Sequence, residues 1–248
     1  MPASPKNELR LCGLKAVKAR FAAAPDTIIR LFFDAATAPK LGEICRELAK
    51  TKRVYRSVTP DELAKVGGTV HHGGVVAVVY QAPLREVLQS DFEAWVAKRE
   101  PLLLLDRIGN AHNLGALART AAFYGVKHIV LQADTLTARP NDAAYRISEG
   151  GLEHVTVWVA QVLPKLVEAL DEVGYEVVGA ATRGGVQRLG KPGAPVALVL
   201  GNEEYGLSEE LAGVCTRLIT LPGSGKVESL NVSVAGAILL DRLLGRAR

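Results

Sequence analysis

"PLLLLDRIGNAHNLGALARTAAFYG", residues 101–125, passes from an unbroken apolar tetrad through a glycine-bearing turn into a helix-forming run. Four apolar residues without alternation are what a parallel strand buried on both faces shows. After the turn, Leu114, Leu117 and Ala121 share one helical face. Further strands are expected at "HIVLQ", "VTVWVA", "YEVVGAA" and "VALVLG", with helical segments between them. Alternation of this kind predicts an α/β fold, with a parallel sheet covered on both faces.

Towards the N-terminus the pattern is α/β on a smaller scale. "ELRLCGLKAVKARFAAAP" has helical spacing, "TIIRLFFD" reads as a strand, and "PKLGEICRELAKT" is helical again. "VYRSV" and "GVVAVVY" are strands, and between them "TPDELAKVGG" has Thr59 as N-cap, Pro60 at N1 and paired glycines as a stop. Residues 81–100 are charged and lack a sustained apolar stripe. The expected division is a small N-terminal α/β domain over 1–80, a linker over 81–100 with one helical piece, and a C-terminal parallel-sheet domain over 101–248.

Composition narrows the function classes. With 248 residues, 48 % hydrophobic and 23 % charged, the chain has the balance of a globular protein of one or two domains. It has no apolar stretch of the roughly 18 residues a bilayer span needs, and "MPASPKNELR" has no apolar core of the signal-peptide kind. A cytoplasmic protein, with no membrane partner, is expected. Cys12, Cys45 and Cys215 are far apart and read as reduced thiols. The adjacent His71 and His72 would point to opposite faces of a strand, so no metal is expected. Residues 1–80 hold 13 Lys and Arg against 7 Asp and Glu, while the other 168 hold 17 against 19. A basic front end on a near-neutral body suits one part gripping a polyanion while another does chemistry; a merely soluble basic surface is the alternative.

The chemistry is expected beyond strand ends, where open sheets bind ligands. Neither G-x-G-x-x-G nor a Walker loop occurs, which argues against a nucleotide-dependent oxidoreductase or a P-loop enzyme. Three blocks stand out. In the first, Asn113 is either an N-cap or a site residue, and Arg119 in "ALARTAA" either pairs with a carboxylate or awaits an anion. In the second, "VALVLGNEEYGLSEEL", Ser208 caps a helix with Glu209 and Glu210 in its first turn, which leaves Glu203 as the functional candidate. In the third, "PGSGKVESLNVSVAGAILL", the helix from about Leu230 is apolar on almost every side, so its first turns are expected to be buried. Ser229 and Asn231 there either cap the helix or serve a site.

Together the blocks resemble the three signature motifs of the SpoU (TrmH) family of RNA 2′-O-ribose methyltransferases, through "NAHNLGALARTA", "LVLGNEEYGLS" and "LPGSGKVESLNVSVA". The N-terminal segment, from "LCGLKAVKARF" to "HHGGVVAVV", looks like the family's accessory RNA-binding domain, which resembles ribosomal proteins that grip kinked RNA. The resemblance implies a deep trefoil knot in the C-terminal domain, an exception to the usual rule against knotted chains. It implies S-adenosylmethionine as methyl donor and S-adenosylhomocysteine as product, with no metal. Partners implied are ribosomal or transfer RNA, not DNA, and a second copy of the chain in a homodimer. A non-catalytic RNA-binding or ribosome-assembly protein that keeps the fold is the rival reading.

Carried over by motif, the implied donor-binding positions are Gly201, Leu221 and Leu230, with Thr182 of "AATRGG". The implied reactive centre is Arg119, with Asn113, Glu203, Ser229 and Asn231 around it. Gly201 is expected to be glycine because a side chain would obstruct the ligand. A guanidinium stays protonated and is a poor base, so phosphate binding and alignment of oxygen, methyl and sulfur are the alternative role for Arg119. Two positions depart from the family's pattern: Asn110-Ala111 stands for its Asp-Pro, and Gly223 for its methionine. Lys15, Lys52, Arg53 and Arg56 are the candidate RNA contacts of the basic domain.

Overall fold

The computed structural model describes residues 7–187 and 193–245. They form two compact units, one from residues up to 83 together with 140–154, the other from 84–139 and 155 onward.

The first unit is built on β1 (Glu8–Cys12), α1 (Leu14–Ala23), β2 (Ile28–Phe33), α2 (Gly42–Lys50), β3 (Val54–Ser57), α3 (Pro60–Gly67) and β4 (Val75–Tyr80). The stretch expected to be one helix over "ELRLCGLKAVKARFAAAP" is a strand and a helix. Leu9 and Leu11 are buried between the less buried Glu8 and Arg10, a period of two. Gly13 then turns the chain at φ +96°, backbone that a side chain disfavours. Strand order is β1-β4-β2-β3, with β3 parallel to β2 at an edge and the other pairs antiparallel. Thr59 caps α3 as expected, in a reciprocal capping box with Glu62.

A segment from much later in the chain completes this unit. It carries α6 (Asp142–Ser148) and a short turn of helix at Gly151–Glu153. The Arg10 N–H of edge strand β1 donates to Asp142 Oδ1 at 2.9 Å. Arg20 donates from Nε to Glu153 Oε1 at 2.8 Å and from Nη2 to the Tyr145 hydroxyl at 3.2 Å, with both ionic side chains buried. Burial pushes the Glu153 carboxyl up, against the pull of Arg20.

The second unit contains β5 (Arg85–Glu86), α4 (Gln89–Ala97), β6 (Leu102–Leu105), α5 (Ala111–Phe123), β7 (His128–Gln132), β8 (Thr156–Ala160), α7 (Leu163–Glu172), β9 (Glu176–Ala180), β10 (Val196–Leu200), α8 (Glu209–Val214), β11 (Arg217–Ile219) and α9 (Val232–Leu244). Its seven strands run in the order β11-β9-β10-β6-β7-β8-β5, every neighbouring pair parallel. Leu102 to Leu105 and Val196 to Leu200 are buried throughout, as central strands covered on both faces require. The segment expected as a linker, 81–100, instead contributes β5 and α4 to this unit. Phe92 and Trp95 of α4 are buried in a core with Leu104, Trp158, Val167 and Leu170, because two large aromatics in one short helix need an apolar partner.

From β6 the chain fills one side of the sheet through β7 and β8, then returns to the other side of β6 with β9 and β10. β6 and β10 therefore flank the point where the winding reverses, and their carboxyl ends open the crevice in which such sheets bind ligands. No helix among the described residues is long and apolar enough to cross a membrane.

Candidate active site

Beyond β10, Gly201 begins a loop that folds back on itself. Asn202 N donates to Gly206 O at 3.0 Å, and Gly206 N returns a bond to Asn202 O at 2.9 Å. Asn202 Oδ1 accepts from the backbone N–H groups of Glu204 and Tyr205 at 2.9 and 3.1 Å, so the side chain organises the turn from inside. A Cβ on Gly201 would lie 2.3 Å from the backbone of Gly206 and Leu207. The requirement for glycine thus comes from the chain's own return path rather than from obstruction of a ligand.

Beyond β6, the two strand ends are tied together. Asp106, 3 % exposed, continues the ladder through its N–H to Leu200 O at 2.9 Å. Its carboxylate accepts from Arg107 Nε and Nη2 at 2.9 and 3.0 Å, and from the Ser208 N–H at 3.2 Å. Arg107 Nη2 also reaches Gly206 O at 3.3 Å, while the Arg107 carbonyl accepts from Asn202 Nδ2 at 2.8 Å. Bonding to Asp106 raises the Arg107 pKa against the opposing effect of burial, with the Asp106 and Asp134 charges adding to the rise. Sequence reasoning missed Asp106, Arg107 and Asn202.

The three blocks meet at Asn113. The N-cap of α5 is Asn110, whose side chain accepts from His112 N at 2.8 Å, so Asn113 lies inside the first turn and is 8 % exposed. Asn113 Nδ2 donates to Glu203 Oε1 at 2.7 Å, and Asn113 Oδ1 accepts from Asn231 Nδ2 at 3.1 Å. Asn231 also caps α9, its Oδ1 accepting from Ser233 N at 2.9 Å. The first turn of α9 is not buried all round as expected: Val232 is buried but Val234 is 47 % exposed, and Leu230, just before the helix, is 51 % exposed. Only one side of the helix, through Val232, Gly236, Leu239 and Leu240, faces the core.

A cleft of about 920 Å³ opens beside this cluster, lined by residues 180–183, 200–206, 219–225 and 227–230. Thr182, Gly201, Leu221 and Leu230 all line it, as do Glu203 and Ser229. Arg183 and Glu228, also on its wall, form an exposed ion pair at 3.2 Å, worth little in itself. Arg119 stands elsewhere on α5, six positions past Asn113, exposed and not among the lining residues.

The candidate RNA contacts separate on structural grounds. Lys52 and Arg56 are exposed at edge strand β3 and the turn before it. Lys15 is exposed and pairs with Glu149 at 2.8 Å. Arg53 has another task, because its Nη1 donates to the carbonyls of Pro25 and Ile28 at 2.7 and 2.8 Å and its Nε to Thr51 Oγ1 at 2.8 Å.

A parallel sheet with a mixed polar and apolar cleft at its reversal point, beside a bonded carboxylate–amide–amide chain, has the form of an α/β ligand-binding protein. Residues 100–241 match the SpoU rRNA Methylase family and residues 10–85 match RNA 2′-O ribose methyltransferase substrate binding. The chain belongs to the SpoU rRNA Methylase family.

Among its relatives is an uncharacterized tRNA/rRNA methyltransferase, YfiF, of Escherichia coli O157:H7. It is 33 % identical over 238 residues, covering 94 % of this chain and 67 % of that protein. The 23S rRNA (guanosine-2′-O-)-methyltransferase RlmB of Nitrosomonas europaea is 30 % identical, over 92 % of this chain and 88 % of its own. The fold is that of the AdoMet-bound rRNA methyltransferase from Sinorhizobium meliloti, with a TM-score of 0.79 at 23 % identity over 96 % of this chain and 87 % of that one.

Proposed function

We propose that this protein transfers a methyl group from S-adenosylmethionine to a ribose 2′-hydroxyl of ribosomal or transfer RNA in the cytoplasm. An oxygen–carbon bond forms, the carbon–sulfur bond breaks, the hydroxyl proton is lost and S-adenosylhomocysteine leaves. The observation that carries the reading is the Asn113–Glu203–Asn231 cluster, one residue from each block, beside a cleft lined by Thr182, Gly201, Leu221 and Leu230.

The cleft fits the donor in size and chemistry. At about 920 Å³ it has room for a nucleoside with an amino-acid tail, and its lining includes the glycine-bearing segments 201–206 and 221–225. The sulfonium supplies a methyl group already activated for transfer. Leu221 and Leu230 offer apolar walls, and the 201–206 and 221–225 segments offer backbone donors and acceptors. Asn231 holds Asn113, and Asn113 in turn holds Glu203, in one arrangement, while Arg119 serves the acceptor strand, binding phosphate and aligning the hydroxyl.

The same reading includes the deep trefoil knot, supported by the return of residues 221–231 to bond α5 through Asn113. It includes a homodimer, supported by the exposed apolar Phe123, Leu230 and Val234 on and beside α5 and α9. It also includes a first unit, of the kind that grips kinked RNA, binding through Lys52, Arg56 and Lys15. Calorimetry with S-adenosylhomocysteine tests the cleft, and mapping of ribose methylation across total RNA from a strain lacking the protein tests the reaction. Donor binding with no methylation change and no turnover on any RNA favours the non-catalytic RNA-binding reading.

A further inference from the structure

Arg107 adopts φ +53°, left-handed backbone that an arginine occupies under strain. Such a conformation persists when its surroundings over-determine it, and here both the side chain and the main chain are used. The guanidinium fork spans the two Asp106 oxygens, at 2.9 and 3.0 Å, and still reaches Gly206 O. The carbonyl of the same residue receives Asn202 Nδ2. Arg107 thus holds the 201–206 loop at both ends, at Asn202 where the loop leaves β10 and at Gly206 where it returns.

That loop lines the cleft, and Glu203 at its tip is the carboxylate bonded to Asn113. We propose that Arg107 is a positioning residue for the donor cleft, acting through Asn202 and Gly206 to hold the loop in the shape that receives the donor. A lysine cannot replace it in full, since a single ammonium lacks the planar fork that binds both carboxylate oxygens and a third acceptor together. Asp106 has the supporting part: buried, and anchored by the Ser208 N–H, it fixes the direction in which the fork points.

The proposal rests on the donor reading above, so its test has one measurement that needs no donor. Arg107→Gly keeps left-handed backbone accessible and keeps the carbonyl for Asn202, removing the guanidinium alone. It is made alone and with Asp106→Asn, which spares the fold a bare buried carboxylate while leaving an acceptor for Ser208 N. Amide exchange at Glu204, Tyr205 and Gly206 is measured in the protein alone, and S-adenosylhomocysteine affinity by calorimetry. Exchange is expected to quicken and affinity to fall, each by about tenfold or more in the folded variants, with partial recovery in Arg107→Lys.

Unchanged affinity in folded variants overturns the proposal, whether or not the unfolding midpoint drops, since a merely structural ion pair would move only the midpoint. Unchanged exchange overturns it too. If the unsubstituted protein itself fails to bind S-adenosylhomocysteine, the donor reading falls, and exchange alone then decides whether Arg107 holds the loop.

Discussion

Asn113 and Glu203, ninety positions apart, are joined by a hydrogen bond of 2.7 Å from Nδ2 to Oε1. Since Asn113 Oδ1 is taken by Asn231, the amide orientation is fixed from both ends, and a carboxylate and a second amide are set at defined places beside the cleft. Asn113→Ala is expected to lower kcat/KM for RNA methylation by about 10- to 100-fold, the equivalent of one hydrogen bond to a charged group. Asn113→Asp should do worse, because it sets a second negative charge against Glu203. Steady-state kinetics on the mapped RNA check both.

Arg119 is set apart from the cleft, so its contribution should appear only in the presence of RNA. Arg119→Ala is expected to leave S-adenosylhomocysteine affinity within about twofold and to stop methyl transfer, a drop of about a hundredfold or more. Calorimetry and a methyl-transfer assay run side by side separate the two effects. Equal activity would defeat the assignment.

His128 gives the second unit an acid limit. Its Nδ1 accepts from Trp158 Nε1 at 3.3 Å, which places the ring proton on Nε2, facing Glu100 Oε2 at 3.0 Å, while Trp95 stacks on the ring at 4.3 Å. Burial pulls the His128 pKa below its ordinary 6.5, despite Glu100. The folded protein therefore binds fewer protons than the unfolded chain, and the contribution is full above about pH 6.5 and lost as pH falls towards the lower folded value. Glu100 is pushed up by burial, but the bonds from Lys127 and His128 outweigh this and leave it lowered, so its own contribution is lost only at more acid pH. In His128→Gln, whose amide still donates to Glu100, the fall in urea midpoint between about pH 7.5 and about pH 5 should shrink.

The buried Arg20–Glu153 pair closes the first unit. Arg20→Met leaves a bare carboxylate among apolar groups and is expected to cost about 3–5 kcal/mol, measured by urea unfolding. Adding Glu153→Leu should restore most of the loss. A cost below about 1 kcal/mol for the single change would mean that residues 140–154 contribute little to holding this unit.

Among the basic residues of the first unit, Lys52→Ala and Arg56→Ala are expected to weaken RNA binding uniformly across sequences. Each should reduce the slope of log affinity against log salt by about one. Arg53→Ala should instead lower the unfolding midpoint, because three of its hydrogen bonds run to the protein itself. Filter binding over a salt series, with a melt of each variant, distinguishes the two behaviours.

The parallel sheet was legible because its central strands are unbroken apolar runs, and the cluster was legible because Asn113 and Asn231 are polar residues at the starts of apolar helices and Glu203 follows the end of an apolar strand. Other features left no such mark. The 8–25 stretch carries a two-residue period for only five positions before Gly13, and a longer helical period masks it. β11 has three residues, too few for any period to show. The Arg107 bond to Gly206 joins positions 99 apart, and nothing in a sequence marks an arginine for left-handed backbone. Residues 140–154 read as part of the sheet domain because their partner, Arg20, lies 133 positions earlier than Glu153.

That last connection sets an order of events during synthesis. The ribosome must translate through Glu153 before Arg20 can meet its carboxylate, and by then β6, α5 and β7 have already been made. At roughly 5–20 residues per second, the N-terminal segment waits about 7–27 seconds with Arg20 lacking its carboxylate and with an open sheet edge at β1. During that interval the nascent chain depends on whatever shields it, and a slow codon placed before residue 154 should lower the yield of folded protein more than one placed after it.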